Sequence, residues 1–239
     1  MSIGFSAKSF KMLEQLRDNN NREWFHAHKA EIDEHCRDPF IFLLNCLTQE
    51  LTDHSIRLSG GKQTMFRLNR DVRFAKDKSP YNHHISGTLT RSGMKNEQGG
   101  IVYLRLDPTG GRLGAGSWRL NAKRLGAIRD HMLSGPEGFN NIVENLSEAG
   151  LEFDQEEVLK NMPRGYNQHA DHDLAWALRM KNFAVTRPMN RKDWIGDGIV
   201  DLIMKFVRDV TPVLNFAAIG AENKAKKSCL LYTSPSPRD

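Results

Sequence analysis

The spacing of apolar residues changes twice along this chain, and that change restricts the fold more than any other feature. Up to about residue 53 large apolar side chains recur at helical spacing. From about 64 to 119 they alternate with polar neighbours, and beyond about 120 the helical spacing returns. A period near 3.6 marks one face of a helix, and a period of about 2 marks one face of a strand. Helices, then strands, then helices is an α+β order, not the β–α alternation that builds a parallel sheet. The expected fold is α+β, with a central antiparallel β-meander over about 64–119 packed by N-terminal and C-terminal helices.

Phe10, Leu13 and Leu16 share a face in a helix expected over 6–18, with Ser6 or Ser9 as its cap. Asn19, Asn20 and Asn21 interrupt it. Asn20 followed by Glu23 approximates a capping box for a second helix reaching about residue 37. Asp38-Pro39 is expected to end that helix and open a third, lined by Phe40, Leu43, Leu44, Leu47 and Leu51. Strands are expected over 66–74, 85–89, 101–106 and 112–119, joined by short turns. Further helices are expected over 121–132, 136–149, 155–161, 172–181 (capped by Asp171) and 191–216, with a short strand at 183–185. No internal repeat or long polar linker divides the chain, so 4–220 reads as one domain and 221–239 as a disordered or artefactual tail. Residues 228–239 resemble translated sequencing-adapter read-through.

Charge is unevenly distributed. The chain carries +5 net. Residues 57–95 hold Arg57, Lys62, Arg67, Arg70, Arg73, Lys76, Lys78, Arg91 and Lys95 against only Asp71 and Asp77, which is +7. Residues 224–239 add +3, so everything else together carries −5. A basic region on a mildly acidic body is not a uniformly basic nucleic-acid binder. No run approaches the ~20 apolar residues of a membrane helix, and residues 1–10 lack a secretory layout. Cys36, Cys46 and Cys229 have no paired spacing. That argues against a disulfide framework or a thiolate zinc site and makes the reducing cytoplasm the expected location.

The stretch 66–84 concentrates the polar chemistry. Read as a strand, it places Arg70 on the apolar face with Phe66, Leu68, Val72 and Phe74, so Arg70 needs a partner such as Asp107. Residues 76–80 read as a turn, followed at once by Tyr81, His83 and His84. Guanidinium forks and lysines in such a place suit phosphate or carboxylate, and they suit equally a structural ion-pair network. His169, Asp171, His172 and Asp173 are metal-ligand types without a recognised ligand spacing, and no metal is assigned. No phosphate-loop motif follows the glycines at 110–116, no serine sits in a nucleophile elbow, and no cofactor is implied.

The ordered motif Arg67-x-x-Arg70-Asp-x-Arg73-Phe-x-x-Asp77-Lys-Ser-Pro-Tyr81 resembles that of domain-of-unknown-function family 2461. So do Asn19-Asn20-Asn21 leading to Trp24-Phe25, Tyr103 to Pro108 with Gly114 to Trp118, Pro163-Arg164-Gly165-Tyr166, His172 and Lys181-Asn182-Phe183. The resemblance covers about 4–220. The chain departs from the family at Asp107, where glutamate is frequent. Membership implies a bacterial α+β protein with no established activity, and Arg70, Arg73, Lys78, Tyr81, Trp118, Arg164 and Tyr166 match family motif positions.

The function expected from these features is binding of an anionic, phosphate-bearing small molecule in a cleft lined by the 66–84 stretch and by Arg164 with Tyr166. Arg70, Arg73, Lys78 and Arg164 would hold charge, Tyr81 and Tyr166 would orient the ligand beside Trp118, and His84 would carry protons. A nucleic-acid or protein interaction module built on 57–95 is the alternative, and a purely structural charged motif is the third reading.

Overall fold

The computed structural model describes residues 3–54, 56–95, 97 and 99–218. The tail expected at 221–239, with Cys229, lies outside the described residues. The first helix, α1 (Ala7–Asp18), opens on a reciprocal cap: the Ser6 hydroxyl accepts from the Lys8 amide, and the Ser6 amide donates to the Ser9 hydroxyl. In α2 (Arg22–Ile32) the cap is Asn21, which accepts from the Trp24 amide at 2.9 Å, and not Asn20. Nor does Pro39 end this helix. A π-helical turn (Asp33–Arg37) carries the backbone straight into α3 (Asp38–Asp53). Proline lacks the N–H that would bond back four residues, and its ring crowds that carbonyl. The wider turn just before it accommodates both effects.

Four strands form one antiparallel sheet in chain order: β1 (Ile85–Leu89), β2 (Ile101–Asp107), β3 (Gly110–Ser117) and β4 (Phe183–Asn190). The fourth strand therefore comes from the C-terminal third, and 66–74 is not a strand. Its alternation was misleading, because Leu68 is buried while Phe66 is 40% and Phe74 95% exposed. No common surface receives the alternate side chains, which a strand requires. The Phe66 amide bonds the Ser86 carbonyl at 2.9 Å, and the chain then leaves the sheet edge. The short strand expected at 183–185 runs on to Asn190, and Pro188 is tolerated because β4 is last in the sheet order.

Beyond the meander, α4 (Ala122–Ser134) and α5 (Pro136–Glu148) form as expected, with Asn121 capping the first. Residues 155–161 are not helical. They run extended beside 179–185, bridged at Phe153–Val185 and Val158–Met180. The helix expected at 172–181 shrinks to α6 (Ala175–Leu178), which Asp171 does not cap. The last helix divides into α7 (Arg191–Trp194) and α8 (Ile199–Ala218) at a break containing Gly196, whose φ of +152° few other residues adopt.

One face of the sheet makes the core. Val102, Leu104, Leu106, Leu113 and Ala115 are fully buried, and α8 packs on β3 and β4 while α3 packs on β1. Each large apolar side chain buried this way contributes about 1.5–3 kcal/mol. The β2–β3 hairpin turns at Asp107, whose carboxylate accepts from the Thr109 amide and hydroxyl at 2.9 and 2.7 Å. Just past it, Gly111 has φ +114°, and a Cβ there would stand 1.9 Å from the Arg105 carbonyl oxygen. Among the described residues no helix is long and apolar enough to cross a membrane. With the core side taken by helices, the opposite sheet face is left to do something else.

Candidate functional site: the open face of the sheet

The charged arm at residues 68–82 stands next to that face, and its construction decides what its cations can do. Its base is closed by hydrogen bonds from the Arg70 amide to the Pro80 carbonyl (2.9 Å) and from the Asn82 amide to the Leu68 carbonyl (2.7 Å). Asn20 pins it to the α1–α2 junction. Its side-chain N–H donates to the Tyr81 carbonyl at 2.8 Å, and its oxygen accepts the Tyr81 N–H at 3.0 Å. The Tyr81 ring stacks on Phe25 with centroids 3.9 Å apart.

Within the arm three of the four cations are already engaged, and Lys76 is exposed. Arg70 donates to Asp77 at 2.5 Å and to the Ser79 carbonyl at 3.1 Å; its partner is Asp77, not Asp107. Arg73 grips Asp71 through two nitrogens at 3.0 and 2.7 Å. Lys78 donates to the Val72 and Arg73 carbonyls at 3.0 and 3.4 Å. The Asp77 carboxyl is held well below the usual carboxylate range, first by the Ser79 hydroxyl and amide and then by Arg70. These contacts shape the loop.

On the open face, strand alternation sets out a different group. Ile101, Tyr103, Arg105 and Asp107 are half-buried on β2 while their neighbours are fully buried. The hairpin register puts Gly114 opposite Tyr103 and Arg112 opposite Arg105. Two cations directly across an antiparallel pair repel. Asp107 lies 3.2 Å from the Arg105 guanidinium and offsets one of them. The Arg112 side chain is exposed and makes no hydrogen bond or ion pair with a described residue. His84 sits beside this pair. Burial, then Arg105, His83 and Arg112, push its pKa down to about 4, with Asp107 opposing. His83 is pushed down by burial and Arg105 as well. Both imidazoles are therefore neutral at pH 7, and His84 is a hydrogen-bonding group there instead of the near-neutral proton carrier its reference value suggests.

Two cavities occupy this face, of about 490 Å³ and 300 Å³. Phe66 and Tyr103 line both. The smaller includes His84, Asn82 and Ser86. The larger includes Arg112, Trp118, Arg119, Asp154, Glu156, Glu157 and Asn182. Gly114 makes room for Trp118: a Cβ there would lie 3.2 Å from two carbons of the indole. The next residue, Arg119, is in the left-handed region at φ +56°, and no other non-glycine among the described residues has positive φ. Asn182 holds it there, accepting the Arg119 N–H at 2.8 Å and donating to Glu157 at 3.0 Å. Backbone strain of this kind costs about 1–2 kcal/mol and persists where surrounding contacts over-determine it.

Of the residues expected from sequence, Trp118 and His84 line these cavities. Arg70, Arg73 and Lys78 are engaged inside the arm, and Tyr81 is 3% exposed against Phe25. Tyr166 donates to Asp130 at 2.7 Å and packs under Arg129, 5.7 Å from its guanidinium carbon. Arg129 is itself buried on the Leu178 and Met180 carbonyls at 2.7 and 3.1 Å. Arg164 is exposed nearby in sequence and lines neither cavity. Arg112, Arg119, Tyr103, Asp154, Glu156, Glu157 and Asn182 were not anticipated. The hairpin turn was the available signal for Arg112, since a turn at 107–110 sets the register that places it opposite Arg105. Among the described residues no three His, Cys, Asp or Glu side chains are placed to hold a metal ion. His172 instead accepts the Leu174 N–H through Nδ1 at 3.0 Å.

Residues 8–216 match the family described as conserved hypothetical protein (DUF2461). The chain belongs to this family. The match takes in the arm, the whole sheet and every residue named above as lining the two cavities. No curated protein and no solved structure shows a comparable match.

Proposed function

We propose that this DUF2461 protein binds a small anionic, phosphate-bearing molecule on the open face of its sheet. The observation that carries the reading is Arg112, an exposed guanidinium with no partner among the described residues, set across the strand from a second arginine and beside a neutral imidazole. A bound phosphate accepts from Arg112 and relieves its repulsion with Arg105, and the His84 ring supplies a further donor. The arm serves as scaffold: it fixes 66–69 and 82–86, which wall the smaller cavity, through contacts its cations make internally. That division of labour favours a structural role for the family motif and a binding role for the sheet. A nucleic-acid partner would instead call on the exposed cations of 57–95.

Calorimetric titration with inorganic phosphate and pyrophosphate separates these readings. Wild type and Arg73→Ala should bind, and Arg112→Ala should lose most of the heat. Loss in Arg73→Ala with retention in Arg112→Ala would move the anion to the arm, and no heat from either anion would sink the proposal. A gel shift with single-stranded nucleic acid that weakens steeply with salt would favour the interaction-module reading.

A further inference from the structure

Next to the proposed anion site lies a second kind of surface. The larger cavity, which Arg112 also lines, is bounded by the half-buried indole of Trp118 and by Tyr103, and Asp154, Glu156 and Glu157 line it as well. Glu157 and Asp154 are partly engaged: Glu157 accepts from Asn182, and Asp154 accepts the Glu156 amide at 2.9 Å. The Glu156 carboxylate makes no hydrogen bond or ion pair with a described residue. An aromatic plate and a carboxylate rim share this cavity with Arg112, which pairs with Pro188, four residues along β4 from the Ala184 carbonyl that accepts the Asp154 amide, and this is a demanding combination. A purely anionic ligand has no use for the acids, and a cationic one has no use for Arg112.

We infer that the ligand is a nucleoside phosphate whose base presents N–H donors, as guanine does. This rests on the anion reading given above and extends it. The phosphate lies on Arg112 and His84. The sugar passes over Tyr103, which lines both cavities. The base stacks on Trp118, and its donor edge meets the carboxylate rim. Base–aromatic stacking is tolerant of ring type, so the acids supply the discrimination. The larger cavity falls inside the range of about 300–1,000 Å³ typical of small-molecule sites. Two features hold the plate in place: Gly114 beneath the indole, and the left-handed Arg119 fixed by Asn182 just after it. Gly114 is thereby a positioning residue.

Fluorescence and calorimetric titrations with GMP, ribose 5-phosphate and inorganic phosphate test this on the full chain. GMP should bind at least tenfold more tightly than ribose 5-phosphate and quench indole emission. Trp118→Leu should abolish the quench and bring GMP down to the ribose 5-phosphate level. Gly114→Ala, a milder change that displaces the indole, should weaken GMP severalfold and leave phosphate affinity unchanged. Glu156→Gln should weaken GMP but not ribose 5-phosphate. If GMP and ribose 5-phosphate bind equally, the base pocket is wrong while the anion site stands. If phosphate, ribose 5-phosphate and GMP all fail to bind, both are wrong.

Discussion

Replacing Asn20 with alanine removes the clamp between the N-terminal helices and the arm. The side chain makes two hydrogen bonds to one residue, 2.8 Å to the Tyr81 carbonyl and 3.0 Å from the Tyr81 amide, in partly buried surroundings. Each bond contributes about 0.5–1.5 kcal/mol net, and a backbone group left without its partner costs more. The loss should therefore be about 2–3 kcal/mol. At about 2–4 °C per kcal/mol for a chain of this size, Tm should fall by roughly 4–12 °C. Urea unfolding gives the free energy, and trypsin cleavage at Lys76 and Lys78 reports the arm directly, since an unpinned arm opens more often than the body unfolds. Tyr81→Phe is the matched control. It keeps the ring stacked on Phe25 and both backbone bonds, so stability should stay within about 0.5 kcal/mol. An Asn20→Ala protein as stable and protease-resistant as wild type would refute the clamp, and with it the view that the arm is scaffold.

Three other outcomes follow from the geometry. His84 has its folded pKa depressed to about 4 from 6.5, so the unfolded chain binds more protons between those values. Stability should be full above pH 6.5 and decline as pH falls toward 4, by roughly 2 kcal/mol after allowance for solvent screening; His84→Gln should flatten that part of a pH series of urea melts. Gly111→Ala should cost more than about 3 kcal/mol or prevent folding, because the new methyl meets the Arg105 carbonyl at 1.9 Å in a left-handed backbone, whereas Gly138→Ala, with open space around it, should cost almost nothing. Arg129→Met should destabilise by about 2–4 kcal/mol in urea melts, since it strips the Leu178 and Met180 carbonyls of a buried charged donor.

Where apolar spacing had a surface to answer to, the sequence was readable. Phe10, Leu13 and Leu16 are buried on α1 as their spacing predicts, and the alternation of 101–106 is reproduced in burial. It failed where spacing had no such surface. Phe66, Leu68, Val72 and Phe74 alternate, yet Phe74 projects into solvent and the segment is held by polar contacts between residues up to twenty positions apart. The π turn before Pro39 was equally hidden, because proline chemistry alone forecasts a break. The ligand face was half legible. Trp118 and His84 stood out as residue types, but the arginine that matters was masked by a glycine-rich strand, and of the motif arginines Arg70 and Arg73 spend their charge on the arm itself while Arg67 lines the smaller cavity. Asp154, Glu156 and Asn182 join the face only through the antiparallel bridges at 153–185 and 158–180, long-range pairings that no local pattern announces.

The most direct measurement is the titration of His84 by NMR with and without saturating inorganic phosphate. In the free protein its imidazole should titrate near pH 4, held down by burial and by Arg105 and Arg112. An anion seated on Arg112 offsets those cations, so phosphate should raise that value clearly in wild type and leave it unmoved in Arg112→Ala. A His84 titration identical with and without phosphate would contradict an anion site on the open face of the sheet.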